Sequence, residues 1–169
     1  MAWGAKVGPA FRETVIEICS SLQINPDYLM ACMAFESAET FRPDVKNAAG
    51  SGAVGLIQFM PATAQGLGTS TQALSAMTAA EQLDWVRMYF KPYAGRLHTL
   101  SDCYMAILYP KAIGKPEDYQ LFVRPSIYYT QNAGLDRDRK GYVTKADAAA
   151  LVQAKLDRGL LPTNVWGGA

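Results

Sequence analysis

The chain has 169 residues, half of them hydrophobic, and its 16 basic and 15 acidic side chains leave a formal net charge of +1. That length suits one domain able to bury a sizeable core. With no block of like charge the sequence excludes a nucleic-acid binder, which needs a basic face to displace counterions.

Cys19, Cys32 and Cys103 are odd in number and lie in apolar stretches, so they read as buried free thiols rather than a disulfide framework. The start of the chain reaches Arg12 and Glu13 before any hydrophobic run of signal-peptide length, so no secretion signal is expected. The apolar stretch from Ala53 to Ala62 is interrupted by Gly55, Gln58 and Pro61. It falls far short of the roughly 20 residues of a span, so no stable membrane insertion is expected.

In chain order, Phe11, Val15, Ile18, Cys19 and Leu22 recur at three- and four-residue steps and predict a first amphipathic helix from Pro9 to Leu22. Asn25-Pro26-Asp27 supplies a cap, a proline preset for the first helical position and an acid in the first turn. A second helix should run from there to about Ser37 or Ala38. From Thr40 to Gly55, Pro43, Gly50, Gly52 and Gly55 break the pattern and predict a loop or a small irregular β-hairpin. Pro61 opens a short helix that Gly66 or Gly68 ends, and Thr78 with Glu81 forms a capping box for a helix reaching Phe90. Ser101 is the expected cap of a short apolar helix from Asp102 to Tyr109, stopped by Pro110. Thr144 with Asp147 opens a last helix closing at Gly159. No repeat or linker divides this pattern, so residues 1–169 read as a single, mainly α domain.

Glu36 stands at the end of the second helix, among Leu29, Met30, Ala31, Met33, Ala34 and Phe35. Apolar surroundings and the negative end of the helix dipole both raise a carboxyl pKa. A carboxylic acid still protonated near neutral pH is what protonates a glycosidic leaving oxygen. A lone glutamate is ordinarily a solvated surface residue. The residues after this one argue otherwise: Glu36-Ser37, Phe41-Arg42-Pro43, and the run Gly52-Ala53-Val54-Gly55-Leu56-Ile57-Gln58-Phe59-Met60-Pro61-Ala62-Thr63-Ala64.

In this ordered set of motifs, from about residue 25 to 65, the chain resembles the soluble lytic transglycosylase and goose-type lysozyme family, in the manner of its phage-type members. The resemblance implies a lysozyme-like fold with Glu36 as catalytic acid facing a cleft for bacterial peptidoglycan. It also implies cleavage of the β-1,4 bond between N-acetylmuramic acid and N-acetylglucosamine, with no cofactor and no metal. Gln58 offers a donor and an acceptor to sugar amides and hydroxyls, and Ser37 either orients the acid or bonds a sugar substituent.

A conventional hydrolase needs a second carboxylate across the scissile bond. Glu39 and Asp44 are the nearby candidates, and the run from Gly55 to Pro61 holds no acid where goose-type hydrolases commonly present an aspartate. The resemblance therefore favours a transglycosylase that forms 1,6-anhydromuramic acid. A muramidase of the same fold, and a noncatalytic virion or wall-binding protein, are the alternatives. The family's Ala-Tyr-Asn-Ala-Gly motif is replaced by Tyr104-Met105-Ala106-Ile107-Leu108-Tyr109 and the residues up to Gly114. Tyr109 and Tyr128 are the candidate substrate contacts there, with core packing the alternative for Tyr109 and Tyr129 the alternative for the late tyrosine.

Asp136, Asp138 and Asp147 follow an EF-hand loop in part, and residues 130–160 suggest a degenerate helix-loop-helix. Lys140 and the arginines within it favour a metal-free turn over a weak calcium site. A single histidine, His98, assembles neither a zinc pair nor a nucleophilic triad. Of the tryptophans Trp3, Trp85 and Trp166, Trp85 sits at helical spacing with Tyr89 and reads as core. The setting expected is bacterial synthesis without a signal peptide and action on periplasmic peptidoglycan, through a holin-dependent route or as a virion-associated lysin in the company of virion proteins.

Overall fold

The computed structural model describes residues 1–167. Pro9 opens helix α1 (Pro9–Leu22), which buries Phe11, Val15, Ile18, Cys19 and Leu22 and ends where Gln23 turns left-handed at φ 57°. Helix α2 (Pro26–Glu36) begins as its sequence dictates: the Asn25 side chain accepts from the Asp27 N–H at 2.9 Å, and Pro26 takes the first helical position. Leu29 to Ala34 are all fully buried. A helix apolar on every side belongs in the middle of a fold. α2 accordingly packs against α1, α6 (Leu100–Leu108) and α8 (Lys145–Gly159).

The expected capping box at Thr78 and Glu81 is complete and opens α5 (Ala79–Phe90). The box at Thr144 and Asp147 opens α8. Pro61 starts α3 (Pro61–Gly66), and Ser70 caps a further short helix, α4 (Thr71–Ala76), that the sequence pattern did not announce. α6 begins two residues earlier than expected, because Thr99, not Ser101, accepts from the Asp102 N–H. Ser101 donates instead to Glu117.

The hairpin expected after α2 is reduced to single bridges, Lys46 with Val54 and Val54 with Phe59. Paired strands lie elsewhere, β1 (Gln120–Val123) against β2 (Tyr142–Thr144) in antiparallel register, with α7 (Ile127–Asn132) between them. The result is a mainly helical, lysozyme-like architecture with one small sheet.

One hydrophobic cluster runs from Ala2 to Leu156. The three cysteines are buried and free. A buried ion pair ties α6 to α8: Lys145 Nζ lies 2.6 Å from Asp102 Oδ1 and also donates to the Lys115 carbonyl. Burial works against the Asp102 charge, but Lys145 and the Gly114 N–H outweigh it and hold the carboxyl below its usual value. Among the described residues no helix is long and apolar enough to cross a membrane.

Candidate active site

Glu36 is the last residue of α2, where the helix passes from the core to its edge. Burial pushes its carboxyl from 4.5 to about 7, and among the described residues no cation or hydrogen-bond donor draws it back. The carbonyl end of α2 works in the same direction. Near neutral pH the group is therefore divided between acid and base, as a proton-transfer residue needs to be.

Two tyrosines accompany it. Tyr104 on α6 packs edge-on against Phe35, with ring centroids 5.5 Å apart. Tyr89 on α5 packs against Phe59 at 6.1 Å and donates its hydroxyl to the Ala106 carbonyl at 2.7 Å. Burial raises the pKa of both hydroxyls, and the charge of Glu36 raises each further, after Tyr93 in the case of Tyr89.

The turn after Glu36 reverses sharply: Ala38, Glu39 and Phe41 all have φ between 51° and 66°, a region that side chains with a Cβ avoid. Three anchors hold it. Ser37 is fully buried, donating to the Met33 carbonyl at 2.7 Å and accepting from the Phe41 N–H at 3.0 Å. Glu39 pairs with Lys155 at 2.5 Å and with Arg158 at 3.2 Å, both on α8. Phe41 packs against Trp3 and Phe11. Ser37 thus shapes the turn that carries the acid and lies out of reach of a sugar.

Beyond the turn, Val54 and Phe59 exchange backbone hydrogen bonds at 3.1 and 2.8 Å, and the Gly55 N–H donates to Val45 at 2.9 Å. Gln58 occupies the tip at φ 53°. Its Nε2 donates to the carbonyls of Val45 and Gly55 at 3.0 and 3.2 Å, which leaves Oε1 as the acceptor for an incoming donor. Gln58, Met60, Thr63, Tyr89 and Ile107 line a cavity of about 60 Å³. Tyr89 therefore joins the surroundings of Glu36 to those of Gln58.

Gln82, fully buried on α5, locks this loop. Its Oε1 accepts from the Leu56 N–H at 2.8 Å, and its Nε2 donates to Pro43 and Leu74 at 3.0 and 2.9 Å. Gly55, at φ 86°, is the close approach that permits it, since a Cβ there would collide with the Gln82 carboxamide.

Other sequence candidates fall in different surroundings. Tyr109 caps the end of α6 and packs on Phe122 of β1, with centroids 5.7 Å apart. Tyr128 is 65% exposed on α7. It faces outward because its neighbour Tyr129 takes the inward position, donating its hydroxyl to Asp136 at 2.8 Å. Tyr104 and Tyr89 are thus the tyrosines that the fold brings to the acid.

Asp44 forms a two-bonded, solvent-facing pair with Arg42 at 2.9 and 2.6 Å, and Glu39 is held on α8. Both carboxylates are thus already ion-paired in this structure. In the EF-hand-like segment Asp136 accepts from the N–H groups of Lys140 and Gly141 as well as from Tyr129, and Asp147 accepts from Thr144 and Lys140. Their acceptor sites are spent on the chain itself.

Residues 13–87 match the family model described as the transglycosylase SLT domain. The matched segment belongs to that family. Compared over the whole chain, no curated protein and no solved structure matches. The matched span carries Glu36, its turn, the Gln58 loop and Gln82, with Tyr89 two residues past its end, and it points to a lytic transglycosylase-type enzyme family whose substrate class is peptidoglycan. Tyr104, α6 and α8 lie beyond the matched span yet complete the surroundings of the acid. Sequence reading left out Tyr104 as a neighbour of Glu36 and left out Gln82 altogether. The only local signal for Gln82 was an amide amid the apolar positions of α5, which its i, i+4 relation to Val86 marks as core-facing.

Proposed function

We propose that this protein cleaves the β-1,4 bond between N-acetylmuramic acid and N-acetylglucosamine in peptidoglycan and leaves a 1,6-anhydromuramic acid end. The observation that carries the reading is one carboxyl held at about 7 by burial, with both neighbouring carboxylates engaged by cations elsewhere. A single group poised between acid and base suits a reaction that needs each function once.

Glu36 in its acid form donates a proton to the glycosidic oxygen as the bond from the anomeric carbon breaks. The acetamido group of the muramic acid supports the carbon during this step, in place of a protein nucleophile. The resulting Glu36 carboxylate then takes the proton of the 6-hydroxyl as that oxygen attacks the anomeric carbon. The acid is restored, and no water is consumed. Gln58 Oε1 accepts from a sugar hydroxyl or amide N–H, while Ser37 and Gln82 are positioning residues that fix the turn and the loop.

The experiment is digestion of purified peptidoglycan, with mass spectrometry of the soluble products. Anhydro ends from the wild type, and none from a folded Glu36→Gln variant, are expected. Reducing ends would replace the lyase with a hydrolase, and glycan binding without soluble products would end the enzyme reading.

A further inference from the structure

Among the described residues, three of the eight large hydrophobic side chains that stand exposed fall within one six-residue stretch. Val123, at the end of β1, is 43% exposed, and Ile127 and Tyr128 on α7 are 63% and 65% exposed. The core has no place for them. Leu121, Phe122 and Tyr129 take the inward positions of the same segment, and Tyr129 is fixed there by its bond to Asp136. Arg124, Ile127 and Thr130 line a groove of about 640 Å³ on this surface. Apolar side chains gathered beside a concavity mark a contact surface, whereas singly scattered ones mark nothing.

The charge of the segment indicates what meets it. Arg124, Arg137 and Arg139 are exposed and make no ion pair among the described residues, whereas Lys140 is paired with Asp147. The Arg124 guanidinium rests on the outer side of the Tyr129 ring, 4.8 Å from its centroid. Between Gln120 and Tyr142 the acids are Asp136, whose oxygens are taken by its own loop, and Asp138. One exposed carboxylate therefore stands against three guanidiniums. A second copy of the chain fits this surface poorly, because a twofold contact would set the cations of one copy against those of the other. An anionic lipid surface satisfies both halves. Apolar side chains enter the acyl boundary, tyrosine settles at headgroup level, and guanidiniums bond phosphates.

We infer that the β1–α7 surface docks the protein peripherally on a membrane of anionic phospholipid. Val123, Ile127 and Tyr128 enter the boundary between headgroups and acyl chains, while Arg124, Arg137 and Arg139 meet the phosphates. The contact is reversible and weakened by salt, unlike the insertion of a spanning helix. It lies outside the matched span of residues 13–87 and does not depend on the chemistry at Glu36.

The test is co-sedimentation with vesicles of phosphatidylcholine alone, or of phosphatidylcholine with about one-third phosphatidylglycerol. In low salt the wild type should bind the anionic vesicles about tenfold or more tightly than the neutral ones, and about 0.5 M NaCl should remove most of that difference. Ile127→Glu, at a position the core does not use, should lower binding to anionic vesicles about tenfold or more, and Ile127→Trp should strengthen it. Both variants should melt as the wild type does. Arg124→Gln combined with Arg137→Ala should shrink the preference for anionic vesicles to within about threefold. Absent binding, equal binding to the two vesicle types, or binding that Ile127→Glu leaves unchanged overturns the inference. Sedimentation velocity examines the rival occupant: a wild-type dimer that Ile127→Glu dissociates assigns the patch to a second copy and overturns membrane docking. Vesicle binding by a wild type that releases nothing from peptidoglycan would support the docking surface and sink the glycan reading alone.

Discussion

Replacing Glu36 with glutamine removes a charge that the fold disfavours and keeps nearly the same shape. A carboxyl moved from 4.5 to about 7 by burial has its ionised form penalised by on the order of 3 kcal/mol. Below pH 4.5 the group is neutral in both folded and unfolded chains, and the substitution should change stability little. Between 4.5 and 7 the unfolded chain ionises while the folded one stays neutral, so the wild type loses roughly 1.4 kcal/mol per pH unit at this residue. Above 7 the loss is complete. The stability of Glu36→Gln relative to wild type should therefore climb from near zero at pH 4 to about 3 kcal/mol in favour of the variant at pH 8. With a urea slope near 2 kcal/mol/M, the midpoint at pH 8 should rise by about 1.5 M. Urea denaturation at several pH values reads this directly. A difference that stays constant with pH, or a variant less stable than wild type at pH 8, would refute a desolvated Glu36. The same variant should be inactive, so stability and activity move in opposite directions at one residue.

Three further outcomes follow from the geometry. In the wild type, kcat/KM on peptidoglycan should fall about tenfold per pH unit above about 7, as the acid form of Glu36 is depleted, and a profile flat to pH 9 would remove Glu36 as the proton donor. Gly55→Ala should cost on the order of 3 kcal/mol and most of the activity, since it adds a strained φ and displaces the Gln82 carboxamide; a urea midpoint within error of wild type would count against the Gln82 lock. Asp102→Ala leaves the Lys145 charge buried alone and should cost about 3–5 kcal/mol, whereas Asp102→Leu combined with Lys145→Met should recover much of that in thermal melts.

Local chemistry made much of this fold readable. Asn25, Thr78 and Thr144 announce their helices because a cap is settled within three residues of chain. Thr99 and Ser101 show the limit of that rule. Both are competent caps, and the choice between them depends on Glu117, sixteen residues away from Ser101. The β1–β2 pairing escaped for a related reason, since short strands twenty residues apart carry no periodic signal of their own.

At the proposed site, motif spacing singled out Glu36 and Gln58 as candidates. Tyr104 and Tyr89 were not recognisable as partners of the acid, because each reaches it from a different helix. Ser37 looked like a ligand because it neighbours the acid, but the left-handed turn that follows draws it inward. Asp136 was read in a turn more apt to be metal-free than to hold calcium, but the donors its own loop supplies to it were not legible.

The ion pairs from Glu39 to Lys155 and Arg158 fasten the turn carrying the acid to the far end of α8. For protein engineering this sets a minimum size. The matched span of residues 13–87 is a unit of sequence kinship, not a portable module. Cut out as a fragment, it would leave α2 stripped of two of its walls and the strained turn without its tether. Grafting this catalytic motif onto another scaffold would need α6 and α8 to travel with it.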